Sequence, residues 1–135
     1  MIELSKEKPY EDACKILGLR PVANYKSYKL TDETRNFIKL ETVAKALNEG
    51  WKPTTIGPKE VRYYVWGWDY TDNKKPSGML YVNSLYGLGT ANAFVGTSLE
   101  FKDKDTAKEF VRMCKPMIVK HLFGRDDHEN FKFDF

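Results

Sequence analysis

The chain has 135 residues, 41% of them hydrophobic and 14% aromatic, and its 22 basic and 19 acidic side chains give a formal net charge of +3. That length and apolar content suit one domain with a substantial core and exclude disorder over most of the chain. The charge is mild and well mixed. It permits nucleic-acid contact without arguing for it, because a dedicated duplex binder carries a stronger bias clustered on one face.

In chain order, the opening MIELSKEKPY has no apolar stretch of the signal-peptide kind. No run nears the ~18 apolar residues that span a bilayer. The expected location is therefore a cytoplasm, and no membrane partner is expected. KPYEDACKILGL reads as a short helix. Pro9 suits its first turn, Glu11 and Asp12 favour its positive end, and Tyr10, Ala13, Cys14 and Leu17 form its apolar stripe. Gly18 is the natural stop. RPVANYKSYKL lacks periodicity and reads as a loop.

TDETRNFIKLETVAKALNEGW carries the strongest helix signal. Thr31 is the expected N-cap, with Asp32 and Glu33 in the first turn. Phe37, Leu40, Val43, Ala44 and Leu47 make the buried face. Gly50 ends the helix, Trp51 folds back over its last turn and Pro53 blocks continuation. KPTTIGPKE is a linker too short to separate two domains.

Three strand-like runs follow: Val61 to Tyr70, Gly78 to Tyr86 and Ala93 to Phe101. The turn-forming TDNKKPSG joins the first two and GLGTAN the last two. Short connections favour antiparallel neighbours, so a three-stranded meander is expected. FKDKDTAKEFVRMCKPMIVKHLFG is a closing helix, capped by Asp103 and stopped by Gly124, with Pro116 kinking it. Its stripe comprises Ala107, Phe110, Val111, Cys114, Met117, Ile118 and Leu122. The expected fold is α+β in the order α-α-β-β-β-α. One domain covers residues 1–124 and a tail covers 125–135. Phe131, Phe133 and Phe135 alternate in that tail, which reads either as a short added strand or as a loose end.

These motifs, YEDACKILGL, VAKALNEGWKP, RYYVWGW, SGMLY and VGTSLEFKDKDTAKEF, occur in this order. Their joint pattern, from about Tyr10 to Leu122, resembles a family of small uncharacterised proteins found in Bacteroidetes bacteria, their prophages and their phages. The segment CKPMIVKHLFGRDD departs from that family, whose members tend to continue with more helix. No established activity comes with the resemblance, so it assigns no functional residue. It implies a phage or prophage setting, in the host cytoplasm or in a virion.

Chemical constellations are thin. The two cysteines, Cys14 and Cys114, both fall on apolar helix stripes and read as buried thiols of a reducing compartment, with a bridge still open to them if their helices pack together. Gly124 interrupts the HLFGRDDH stretch, so His121, Asp126, Asp127 and His128 fix no metal geometry. YGLGTAN lacks the Lys-Ser/Thr ending and following helix of a phosphate loop. No cofactor, no metal and no catalytic residue is expected.

The aromatics carry the functional signal. Val61–Gly87 holds two of the three tryptophans and five of the eight tyrosines. On a strand, Arg62, Tyr64, Trp66, Trp68 and Tyr70 share one face. The plainest expectation is a structural strand whose aromatics pair with Met79, Leu80, Tyr81 and Val82. Any exposed remainder is then a contact surface for a protein partner or a second copy. The alternative is a base-stacking face, with Arg62, Lys74 and Lys75 on phosphates. A small enzyme of unknown reaction is the second alternative.

Overall fold

The computed structural model describes residues 2–21, 30–51, 61–69, 78–86 and 99–135. Three helices, α1 (Pro9–Leu17), α2 (Asp32–Leu47) and α3 (Lys104–Phe123), combine with strands β1 (Val61–Asp69), β2 (Gly78–Tyr86), β3 (Glu100–Phe101) and β4 (Phe131–Phe133). A 3-10 turn, His128–Asn130, precedes β4. The class is α+β, as expected. No helix among the described residues is long and apolar enough to cross a membrane.

Four helix boundaries fall at the residues expected to set them, Thr31, Asp103, Gly18 and Gly124, whereas α2 ends at Leu47 with Asn48, rather than Gly50, as its C-cap. Thr31 Oγ1 accepts from Thr34 N at 3.2 Å, and Asp103 Oδ1 accepts from Thr106 N at 2.7 Å. Gly18 and Gly124 close α1 and α3 in the left-handed region. After α2, Glu49 and Gly50 take positive φ, and the Trp51 N–H bonds back to Asn48 O at 2.9 Å. Pro116 cannot donate to the helix ladder, and Cys114 in the preceding turn leaves helical geometry, with φ −111° and ψ 17°. The Asn36 side chain donates to Met117 O at 2.8 Å just beyond this kink and ties α2 to α3.

The sheet departs from the expected meander. Its order is β3-β1-β2-β4, so the third strand lies beside β1 rather than β2. β1 is antiparallel to both β2 and β3, and β4 adds in parallel beside β2. The stretch from Gly87 to Leu99 is long enough to carry the chain to the other edge, so the short-connection rule does not bind. Two interactions fix β3 there. The buried Asn48 amide donates to Glu100 O at 2.9 Å from the end of α2, and its oxygen accepts from Lys102 N at 3.4 Å. The Glu100 carboxylate also meets Arg62 of β1. The strand expected from Ala93 falls largely outside the described residues. So do the GLGTAN turn, the KPTTIGPKE linker and most of the RPVANYKSYKL and TDNKKPSG loops.

One face of the sheet carries the core. Leu40 of α2 and Phe110, Ile118 and Leu122 of α3 surround Val65 and Leu99, leaving a void of only about 10 Å³. Leu40, Ala44, Leu47, Phe110, Val111 and Cys114 are fully buried, while Phe37 is half-buried at the margin beside the His121 ring. α1 packs on α2, and its Tyr10, Ala13 and Cys14 are buried. Of the two readings of the C-terminal phenylalanines, Phe131–Phe133 form the added strand. Phe131 is completely buried, its ring stacked 5.0 Å from that of Phe123.

Candidate functional site

Alternation along β1 separates Tyr63, Val65 and Gly67 from Arg62, Tyr64, Trp66 and Trp68. Val65 and Gly67 lie against the helices, Val65 beside Leu40 and Phe110 and Gly67 beside Phe123. Register places partners across β2: Val65 opposite Val82, Trp66 opposite Tyr81, Gly67 opposite Leu80 and Trp68 opposite Met79. The Trp66 and Tyr81 rings stack with centroids 4.3 Å apart and planes 19° from parallel. With the Asn83 amide oriented to suit its neighbours, its oxygen accepts from Trp66 Nε1–H at 2.7 Å and its nitrogen donates to Val82 O at 3.0 Å. Trp66 is thus held by ring face and by N–H, and it reads as part of the sheet's fabric.

Trp68 differs, with 55% of its surface exposed. It stands at a cleft of about 340 Å³ that takes walls from both sides of β1. Tyr64, Trp66, Trp68 and Asn83 supply the outer wall, and Leu122 and Phe123, at the end of α3, supply the other. Gly67 lets the two walls approach. A Cβ there would lie 2.8 Å from Phe123 Cζ and 2.9 Å from Leu80 Cδ2, so the Phe123 ring rests against bare strand backbone.

The strand end that carries Trp68 is clamped. Arg125 Nη1 donates to both oxygens of the neighbouring Asp69 at 2.9 Å, and Arg125 Nε donates to Asp127 Oδ1 at 2.7 Å. Asn130 Nδ2 donates to Asp127 Oδ2 at 2.9 Å, and the Arg125 guanidinium lies 5.5 Å from the Phe131 ring centroid. The hydrogen bonds from Arg125, and then from Asn130, hold the Asp127 carboxyl at about 2, below its ordinary 3.8. Those to Asp127 and Asp69 push the Arg125 guanidinium still further up.

Arg62, expected on the contact surface, is not there. It is 2% exposed, with Nη1 2.9 Å from Glu100 Oε2, whose side chain is equally buried. A charge this far from water is stabilised by an opposite charge, and the strand β3 brings one. Its Nε and Nη2 make no hydrogen bond among the described residues. Tyr64 is half-buried and lines the cleft. Tyr70, Lys74 and Lys75 lie outside the described residues. Basic side chains instead gather beside the C-terminal phenylalanines. Lys108 and Arg112 of α3 lie 5.6 and 5.2 Å from the Phe135 ring centroid, and Lys115 lies 5.3 Å from that of Phe133.

No group of three or more His, Cys, Asp or Glu among the described residues could hold a metal ion. Cys14 and Cys114 are both free and buried, and burial pushes the Cys114 thiol up to about 12. His128 is exposed, with Nε2 3.9 Å from Glu129. Comparison with known proteins returns no matching family model, no matching curated sequence and no matching solved structure.

The lining residues that the sequence did not single out are Gly67, Asn83, Leu122 and Phe123. Leu122 was assigned to the apolar stripe of the last helix. Phe123 carried a signal too, as a large ring directly before the Gly124 stop, where an apolar side chain folds back on the protein body.

Proposed function

We propose that this chain is a non-catalytic protein-interaction module whose contact surface is the Trp68 side of β1 and the cleft beside it. The observation that carries this reading is a 55% exposed tryptophan beside a cleft of about 340 Å³ with no charged residue in its described lining. Tryptophan is among the residues most enriched as interface anchors, which seat in well-packed pockets. The polar groups of the outer wall support a protein occupant over bases. Trp66 N–H and the Asn83 amide already satisfy one another and Val82 O, so they offer little to a base edge. Arg62, the cation nearest the aromatics in sequence, is consumed by Glu100. The family resemblance adds a phage or prophage setting to the proposal, in a host cytoplasm or as a virion component.

Photo-crosslinking from position 68, in cells expressing the chain, tests this. Discrete protein adducts are expected from position 68 and not from the control position, exposed Ile16 on α1. Adducts that nuclease removes would overturn the reading. So would a chain that holds single-stranded DNA through Trp66 and Trp68 at physiological salt, because a purely electrostatic contact fades as salt rises.

A further inference from the structure

We infer that residues 124–135 form a strap that holds one wall of the cleft in place, so that seating the strap and shaping the cleft are one event. A closed circuit of contacts ties them together. Phe123, the last residue of α3, is a cleft wall and rests on the bare backbone of Gly67. Its ring stacks on Phe131, with planes 22° from parallel. Phe131 lies on Gly78, and Gly78 pairs across β2 and β1 with Asp69. Asp69 completes the circuit, since both its oxygens accept from Arg125 Nη1, two residues beyond Phe123.

The strap is the weak arc of this circuit. Phe131 is the single buried residue between Gly124 and Phe135. β4 pairs with β2 over Phe131–Phe133, and Asp134 N then donates to Leu80 O at 3.0 Å. Phe133 and Phe135 sit on the surface, stacked on one another and beside Lys108, Arg112 and Lys115. The Arg125–Asp69 pair is partly exposed, where an ion pair contributes little. A segment with one buried side chain and solvated contacts opens locally at lower cost than the core.

Opening removes the stacking partner of Phe123 and the clamp on Asp69 together. Phe123 ends α3, so no further helical turn holds its backbone. Without Phe131 beside it the ring is free to leave Gly67, and the wall it makes is lost. Linkage then runs both ways. An occupant that packs on Phe123 favours the seated strap, and releasing the strap weakens that occupant. This role in binding rests on the protein-binding reading, whereas the coupling of strap to wall does not.

Native-state hydrogen exchange, followed by NMR at low urea, tests the coupling. Asp134 N–H reads the strap, and Gly124 N–H, which donates to Lys120 O at 2.9 Å, reads the turn that carries Phe123. Val43, buried in the middle of α2, reads global unfolding. Asp134 and Gly124 should exchange through one shared opening with the same shallow urea slope, well below the slope of Val43. Arg125→Gln breaks the clamp and should speed both amides by the same factor, about fivefold. Phe131→Ala should speed both further, and where it fails to fold Arg125→Gln carries the test alone. Different slopes for Asp134 and Gly124, a slope equal to that of Val43 for either, or a Gly124 amide unmoved when Asp134 speeds would each overturn the strap. A shared opening without protein adducts from position 68 would remove the protein-binding reading and leave the strap in place.

Discussion

Gly78→Ala is the most informative single substitution for the architecture. Gly78 of β2 pairs with Phe131 of β4, and the Phe131 ring lies directly on the glycine backbone. A Cβ at position 78 would land inside that ring, with even the far Cζ only 2.8 Å away. The ring has no room to retreat. It is fully buried, stacked 5.0 Å from Phe123 on one side, and has the Arg125 guanidinium 5.5 Å from its centroid. Overpacking of this kind costs about 1–3 kcal/mol. Phe131→Ala removes a whole buried ring and costs about 3–5 kcal/mol. The double variant separates close contact from independent effects, because the alanine methyl at 78 then points into the space the ring has left. It should be no less stable than Phe131→Ala alone, a strongly non-additive cycle. Urea denaturation reads all four proteins, and with slopes of ~1–3 kcal/mol per molar the single changes move the midpoint by on the order of 1 M. An unmoved midpoint in Gly78→Ala, or strict additivity, would show that Phe131 does not pack on Gly78.

Replacing only Arg62 with Met removes the opposite charge from a buried carboxylate and should cost about 3–5 kcal/mol, whereas Arg62→Met with Glu100→Leu should recover most of it; equal losses in single and double variants would refute a buried pair. Phe110→Ala should destabilise by about 3–5 kcal/mol, since its ring is buried 4.7 Å from that of Phe101; a denaturation midpoint that hardly moves would remove Phe110 from the core. Cys114, pushed up to about 12 by burial, should resist alkylation at pH 8 in the native state and react readily in urea; fast native labelling, followed by mass spectrometry, would contradict this. Asp127 is held at about 2 against an ordinary 3.8, so its contribution to stability is complete above about 3.8 and is lost as pH falls through about 2. Arg125→Ala should flatten the stability-versus-pH curve in that window, and an unchanged acid limb would argue against the clamp.

Helix positions were legible because their signals are local. Thr31, Asp103, Gly18 and Gly124 act within a turn of themselves, and Pro116 disturbs only the preceding turn. The pairing of β1 with β2 was legible for a similar reason, since alternation and turn residues both speak for it. Sheet order was not. The placement of β3 depends on Asn48 of α2 reaching Glu100 O and on a charge pair between Arg62 and Glu100, contacts between residues far apart in sequence. Nothing in the local pattern of LEFKDKD distinguishes an edge beside β1 from one beside β2. The parallel docking of β4 also depends on a distant residue, because Phe131 needs the bare backbone of Gly78.

The same distinction divides the site. Alternation assigns Arg62, Tyr64, Trp66 and Trp68 to one face, with Tyr70 outside the described residues, but a shared face does not mean shared exposure. Three different neighbours decide what each one does. Glu100 draws Arg62 inward, Tyr81 and Asn83 hold Trp66 as structure, and Trp68 is 55% exposed. A basic residue close to tryptophans in sequence invites a nucleic-acid reading, yet here its charge is matched internally before any phosphate could reach it. Trp66→Ala, which breaks a ring stack and a hydrogen bond, should therefore lower the urea midpoint, and an unmoved midpoint would show that Trp66 is not held as structure.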